Sequence, residues 1–576
     1  MKRKIFSILL TGAMCAGLFS SCNDIMEEQP RAVLTPDLFR STAGLQSGLT
    51  AAYQGLRLVT GAQGPIFCME LGTDEFTGGE GCTNWALDMT PAVVGTTPIT
   101  SQTGDFSNFW NSSYQYINTC NGIVEYGEEA GLAPALIAEA RFLRAYFYFN
   151  LVQMFGGCPL DLGSGELKFN TVPNRMSTRN SVAEVYSAIV ADMNYAVENL
   201  PVASRLVGTV TKKTALHHLA KVYLTMGNHQ QALSTAETLI NNQATYGVAL
   251  QSAYADVVRE GNEHNSEVLF TCERTNDSYT FNGFPGVSDA AFNTGIGEER
   301  AISYYVPNYP TFEVVDGAGA PVGRSVTYSR PWMRLAPTDE LLSVVFADKT
   351  NDSRYAATFQ TVWLSNVERG GGAGQTYLGR LGEPINIGDT ALFFPGYEVS
   401  DAFRASKNYR IWAPSDHSRT RFPSVHKFFD TKRKNVNDAS GRTWLTAKLS
   451  ETYLIAAEAA VQLGDNAKAR EYILVLRKRA AYPGHEDAMV AATPATITID
   501  YVLDERSREL CGEQHRWLDL IRTGKWVERA SRYHLGGVEY TRDIKSHYVL
   551  RPIPQGDQMD RMHEEVDRAA YQNPGY

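Results

Sequence analysis

Residues 219–240 read LAKVYLTMGNHQQALSTAETLI, and residues 456–477 read AAEAAVQLGDNAKAREYILVLR. Placing Gly227 on Gly464 superimposes Leu219-Ala220 on Ala456-Ala457, Tyr223 on Ala460, Ala232 on Ala469 and Ala236 on Ile473. Small residues at helical spacing on both sides of a turn let two helices approach closely, and glycine supplies the backbone freedom of the turn itself. Each stretch is therefore expected to be a tight hairpin of two antiparallel helices.

This is the spacing of a tetratricopeptide helix pair. Two units alone do not make a stable array, so other helices must complete it. Pro134 to Phe155 is apolar over most of its girdle, with Phe142, Tyr146 and Phe149 on one face and Leu143, Phe147 and Leu151 on the next, and Gly156-Gly157 stop it. Ser181 with Glu184 forms a capping box, and the helix it opens ends at Leu200 before Pro201. A further helix is expected over 500–526. Near the start, Pro36 suits a first turn, and Leu38, Leu45, Leu49, Tyr53 and Leu56 recur at helical spacing. The fold expected is mostly α: a tetratricopeptide-type helical-hairpin scaffold, an α-α superhelix, with a large irregular loop-rich insertion containing a few short strands.

The insertion is placed at 262–440, where Gly, Pro, Asn, Ser and aromatics dominate and GlyGlyGlyAlaGly at 370–374 marks a loop. So long an irregular stretch inside a compact protein is usually functional, and the ligand surface is placed mainly there.

The amino terminus carries Lys2, Arg3 and Lys4, then an apolar run from Ile5 to Phe19, then Ser20, Ser21 and Cys22. The run is shorter than the ~20 residues of a transmembrane helix and reads as an export signal. Small residues directly before a cysteine look like the lipobox of type II signal peptides, in which the Cys22 thiol is acylated. Phe19 stands where an aliphatic residue is usual. The organisation read from this is a lipoprotein signal at 1–21, a flexible acidic tether at 22–32, and a single domain at 33–576 with scaffold at 33–261 and 441–576.

Net charge is −10 over 576 residues, 43% of them hydrophobic and 11% aromatic. A mean hydropathy of −0.26 excludes a polytopic membrane protein. The basic run Lys432-Arg433-Lys434 reads as a solvated turn, and no nucleic-acid partner is expected. Six cysteines remain after the signal, with no metal spacing among them; they read as buried thiols, with a Cys68–Cys82 bridge possible.

No motif for catalysis, a metal or a cofactor is present. His217-His218 are adjacent on a helix, about 100° apart, and cannot chelate as an i, i+4 pair would. The glycine run near Gly372 lacks a phosphate loop's Lys-Ser/Thr ending, and Asp348, Thr350 and Asp352 lack the rest of an EF-hand. The densest charged block, AspGluArgSerArgGluLeu at 504–510 with Arg516 to Arg522, contains acids a glycosidase could use, notably Glu505 and Asp519. Asp504 and Glu505 sit within reach of Arg508, however, and Arg516 within reach of Asp519, so the block reads as a structural ion network.

Residues 139–159, 504–522 and 551–576, the last running from ArgProIleProGln to GlnAsnProGlyTyr, together with Ala51-Ala52-Tyr53-Gln54-Gly55-Leu56, resemble the hallmarks of the SusD/RagB family. Cys158 stands where an acidic residue or Val is common. The resemblance implies a scaffold roughly nine-tenths helical with four tetratricopeptide units. It also implies a surface-exposed lipid anchor, for which Asp24, Glu27 and Glu28 are similar to export signals, and a non-catalytic role as the lid of a SusC-like TonB-dependent outer-membrane channel. The cargo it implies is an oligosaccharide or, in the RagB branch, a peptide; a surface glycoside hydrolase is the reading from another class.

Ligand identity lies outside those motifs, so binding residues are argued from chemistry. Sugar rings stack their C–H faces on flat aromatic side chains, while their hydroxyls need short polar partners. Trp85, in the loop after Asp74-Glu75, fits this best, with Asp74 as its polar partner. Tyr304, Tyr305, Trp332 and Tyr397 follow. Trp110, Trp444, Trp517 and Trp526 lie in helical patterns and are assigned to the core.

Overall fold

The computed structural model describes residues 39–171, 178–274, 298–369, 376–555 and 567–576. The signal at 1–21, Cys22, the tether at 22–32 and the glycine run at 370–374 lie outside them. The helices that build the scaffold or carry the site are α1 (Thr42–Val59), α2 (Gln63–Glu70), α3 (Trp85–Asp88), α4 (Gly104–Tyr126), α5 (Pro134–Phe155), α6 (Val182–Asn199), α7 (Lys212–Thr225), α8 (His229–Ile240), α9 (Leu449–Gln462), α10 (Asn466–Ala480), α11 (Ile499–Leu510), α12 (Arg516–Arg522) and α13 (Trp526–Ala530). The strands that join segments or carry the site are β1 (Phe76–Gly78), β2 (Val268–Cys272), β3 (Leu335–Pro337), β4 (Val362–Leu364), β5 (Thr390–Phe393), β6 (Arg410–Ile411), β7 (Trp444–Lys448), β8 (Arg532–Leu535) and β9 (Val538–Thr541), beside a few two-residue strands.

The helices pair as α1 with α4, α5 with α6, α7 with α8 and α9 with α10. Contacts of α4 with α5, α6 with α7 and α8 with α9 stack the pairs in order. The hairpins read from the sequence are thus the third and fourth pairs. α5 is buried on almost every side, as its apolar girdle requires. The box at Ser181 forms: its hydroxyl accepts from the Glu184 amide, and the Glu184 carboxylate accepts from the Ser181 amide at 2.7 Å.

Gly227 and Gly464 both hold φ +77°, and a side chain at either would meet open space. The conformation alone therefore calls for glycine. Gly464→Ala is expected to lower stability by about 1 kcal/mol, read as a lower urea midpoint at unchanged m-value.

About 46% of the structure is helical. The excursion between α1 and α4 and the long insertion take up most of the rest. The helix expected over 500–526 is three, α11, α12 and α13, because Gly512 (φ +71°), Gln514 (φ +65°) and Gly524 (φ +68°) break it with left-handed turns.

The insertion leaves the scaffold along β2 and returns along β7, and the two strands pair antiparallel, Val268 opposite Lys448 and Cys272 opposite Trp444. Within it, β4, β5 and β6 form a three-stranded sheet. That sheet encloses a second core, in which Trp363 stacks on Tyr309 at 4.6 Å and lies 4.8 Å from Tyr328.

Candidate functional site

The charged block at 504–510 is a buried hub. Arg354, contributed by the insertion and fully buried, reaches Asp352 at 2.6 Å, Glu505 at 2.8 Å and Glu509 at 3.2 Å. Arg508 also pairs with Glu505 at 2.8 Å, Arg479 bonds Glu267 at 2.8 Å and Glu509, and Arg506 joins Asp519 at 2.6 Å to Glu451 at 3.1 Å. Burial raises the Glu505 and Glu509 carboxyls, but the arginines outweigh it and hold both below the usual range, Glu509 at about 2. Acids so held stay ionised and are poor general acids.

The expected partners are partly exchanged. Asp504 bonds Arg529 rather than Arg508, and Arg516 turns to Asp74, at 2.6 Å, leaving Asp519 to Arg506 and Arg522. Asp74 also takes Arg529 at 2.8 Å. Burial pushes the Asp74 carboxyl up, and Arg516 and Arg529 pull it down to about 2. Asp74 is therefore corrected from ligand contact to buried counter-ion: its oxygens are committed to two guanidinium groups that no sugar hydroxyl would displace.

The surface around Trp85 is built by a ladder between two distant segments. β1 pairs antiparallel with β3, Phe76 opposite Pro337 and Gly78 opposite Leu335. The pairing runs on past both strands, as Gly79 donates to the Arg334 carbonyl at 3.2 Å and Gly81 to that of Met333 at 3.0 Å. A Cβ at Gly79 would lie 2.3 Å from the Met333 oxygen, and one at Gly81 2.0 Å from that of Trp332, so only glycine permits this approach. On its other side the 332–334 segment donates to Ser303, Val306 and Tyr304 carbonyls.

The ladder brings together the backbone segments next to Trp85 and Trp332, and both side chains are partly exposed. Trp85 opens α3 with its ring against Gly78, and the Arg419 guanidinium lies 5.4 Å from the ring centroid. Arg419 is itself held by Thr77 Oγ1 at 3.1 Å and Tyr533 Oη at 2.5 Å. Three non-glycine residues with left-handed backbone flank the tryptophans: Met89 (φ 57°) closes α3, and Ser329 (φ 65°) and Met333 (φ 48°) bracket Trp332. Such conformations cost of order 1–3 kcal/mol each and persist where the surroundings over-determine them.

Tyr304 and Tyr305 are corrected as ligand contacts, being 2% and 0% exposed. Tyr304 instead backs Trp332 at 5.6 Å, and Tyr305 stacks on Phe428 at 5.9 Å. Tyr397 is 52% exposed after Gly396, outside the second core, and the ladder does not carry it to the tryptophans. Trp110, Trp444, Trp517 and Trp526 are buried.

The basic run is corrected too: Arg433 is buried and donates to the carbonyls of Asp430, Val436 and Asp438 and to Ser329 Oγ at 3.0 Å. It thereby fixes the loop that carries Trp332. Cys68 and Cys82 are separate buried thiols, and burial pushes the Cys82 thiol up to about 12. His217 bonds Thr452 at 2.9 Å and Glu451 at 3.1 Å within the scaffold.

The model of the SusD family matches residues 304–576, and a second family model, described as starch-binding associating with outer membrane, matches residues 61–224. The chain belongs to the SusD-like family. Among curated relatives of this SusD-like chain, SusD-like protein P25 of Formosa agariphila is 24% identical over 562 residues, 93% of each chain. SusD-like protein P2 of the same organism is 28% identical over 245 residues, a match covering 41% of this chain and 46% of that protein. The SusD-like fold recurs in a solved laminarin binding SusD-like protein, with 22% identity, TM-score 0.63 and coverage of 93% of this chain and 99% of that one. A SusD homolog from Bacteroides thetaiotaomicron has 19% identity, TM-score 0.64 and coverage of 93% and 97%.

Proposed function

We propose that this SusD-like protein captures glycans at the outer-membrane surface without cleaving them. The observation that carries the reading is that Trp85 and Trp332 are both partly exposed and lie on segments that the β1–β3 ladder and its continuation bring together. Its family and the names of its relatives support the same reading: one neighbour is described as laminarin binding, another as a surface glycan-binding protein from Bacteroides fluxus. The acids of the 504–522 block, bound up in arginine pairs, favour binding over hydrolysis. The anchor in this proposal is the acylated Cys22, and the partner is a SusC-like TonB-dependent channel for which the protein is the lid.

Trp85→Ala and Trp332→Ala are each expected to weaken glycan binding about tenfold, roughly 1.4 kcal/mol, in calorimetry against a panel of soluble polysaccharides. Polysaccharide incubated with the protein should keep its chain length. Steady release of reducing ends would overturn the reading in favour of a hydrolase, and binding of a peptide digest without any glycan would replace the cargo.

A further inference from the structure

Trp332 is ringed by positive charge. The guanidinium carbons of Arg300, Arg330 and Arg334 lie 5.3, 5.3 and 5.5 Å from its ring centroid. Arg419 stands over Trp85 and donates to the Gly78 carbonyl, and Arg334 donates to that of Gly81, which places them at the same loop; the buried Asp88 carboxylate lies near Arg419 through the shared Thr77 hydroxyl without pairing with it. Arg300 is paired with Glu298. Among the described residues, Arg330, Arg334 and Arg419 make no ion pair with a carboxylate, and Arg334 Nε is buried without a hydrogen bond. A further carboxylate of this region, Glu80, is exposed, and its backbone N–H donates to the Arg419 carbonyl at 2.9 Å.

This arrangement runs against the rest of the molecule. The chain carries net charge −10, and its other partly buried arginines are largely matched to acids, most densely in the hub. Arg330 and Arg334, beside Trp332 and without a paired carboxylate among the described residues, repel each other. Burial, and further the Arg330 charge, lower the Arg334 pKa. A neutral sugar would stack on the rings and leave that repulsion in place, whereas an anion would relieve it. Guanidinium presents a planar fork that matches carboxylate and sulfate oxygens.

We propose that the Trp85–Trp332 surface takes an acidic saccharide, whose rings lie on the tryptophans while carboxylate or sulfate groups meet Arg330, Arg334 and Arg419. The proposal rests on the glycan-capture reading and adds the chemical class of the glycan.

The test is calorimetry of the purified protein with three oligosaccharides of equal length: a neutral glucan, an oligouronate and a sulfated glucan. At least one acidic arm is expected to bind about tenfold more tightly than the neutral one at roughly 50 mM salt, with the advantage shrinking towards 500 mM as screening rises. The tighter arm identifies the acidic group. Arg330 makes no hydrogen bond among the described residues, so Arg330→Gln removes charge without loosening the loop. It should weaken acidic binding about fivefold and neutral binding by much less. Neutral binding as tight as both acidic arms, or an Arg330→Gln loss equal across all three, overturns this proposal and leaves glycan capture standing. Binding of an acidic peptide with no saccharide bound at all would overturn both.

Discussion

Arg354→Ala is expected to remove about 3–5 kcal/mol of folding stability, seen as a large fall in the denaturant midpoint. Arg354 is fully buried and makes charge-assisted hydrogen bonds to Asp352, Glu505 and Glu509. Removing it leaves the Glu505 and Glu509 pair sharing fewer cations in a site without water access, although Arg508, Arg477 and Arg479 remain nearby. Lysine should rescue only part of the loss, since one ammonium cannot address three carboxylates in the geometry of a planar fork. Because Arg354 comes from the insertion and Glu505 from α11, the variant should also loosen the insertion from the scaffold, measured as faster amide exchange in β4 to β6 than in α5. A change below about 1 kcal/mol would show that the hub is not what joins the two.

The second large effect is on pH. Burial raises the Glu299 carboxyl to about 7, against an offsetting pull from Arg274. Its unfolded value is near 4.3, so between pH ~4.5 and ~7 the unfolded chain gives up a proton that the folded chain keeps. Stability from this group is therefore greatest below about pH 4.5 and falls as pH rises to 7, by about 3 kcal/mol. Asp74 and Glu509, depressed to about 2, act in the opposite sense: their contribution is present above pH ~4 and is lost as pH falls towards 2. Stability should thus peak in mildly acid solution. Glu75, likewise raised to about 7 by burial, acts in the same sense as Glu299, so Glu299→Gln should lessen the fall above pH ~4.5 without abolishing it in urea titrations from pH 4 to 8. An unaltered alkaline slope in that variant would rule Glu299 out as its source.

The scaffold was legible because its signals are local. Small residues flank Gly227 and Gly464, a box opens at Ser181, and an apolar girdle covers Pro134 to Phe155, each written within a few turns of chain. The hub was legible only as a type. Arg354 lies about 150 residues from Glu505, and Asp74 far from Arg516, so nothing in local spacing assigns those partners. Local spacing therefore points Arg516 to Asp519, and shows Asp74 only as an acid in a loop.

At the candidate site, Trp85 and Trp332 could be chosen as loop tryptophans, but their meeting depends on a ladder joining residues 75–81 to 333–338. Tyr304 and Tyr305 show the limit of that reasoning, since an aromatic residue in an irregular segment can equally line the interior. One signal was available and passed over: Gly78, Gly79 and Gly81 in the loop before Trp85 mark close backbone approach. Arg330 and Arg334 flank Trp332 in sequence and mark a basic patch there, whereas Arg300 is brought to it only by the fold.

The pairing of β2 with β7 has a consequence for how such proteins diversify. Where a long excursion begins and ends on adjacent strands, the helical frame experiences only a closed, two-stranded neck, and lengthening the excursion adds a closure cost that grows only with the logarithm of its length. The insertion can therefore change in length with the frame left unchanged. What must travel with it are the groups that dock back onto the frame, Arg354 to the hub and residues 333–338 to β1. A graft that keeps those contacts brings Trp332 with it and leaves Trp85 on the frame.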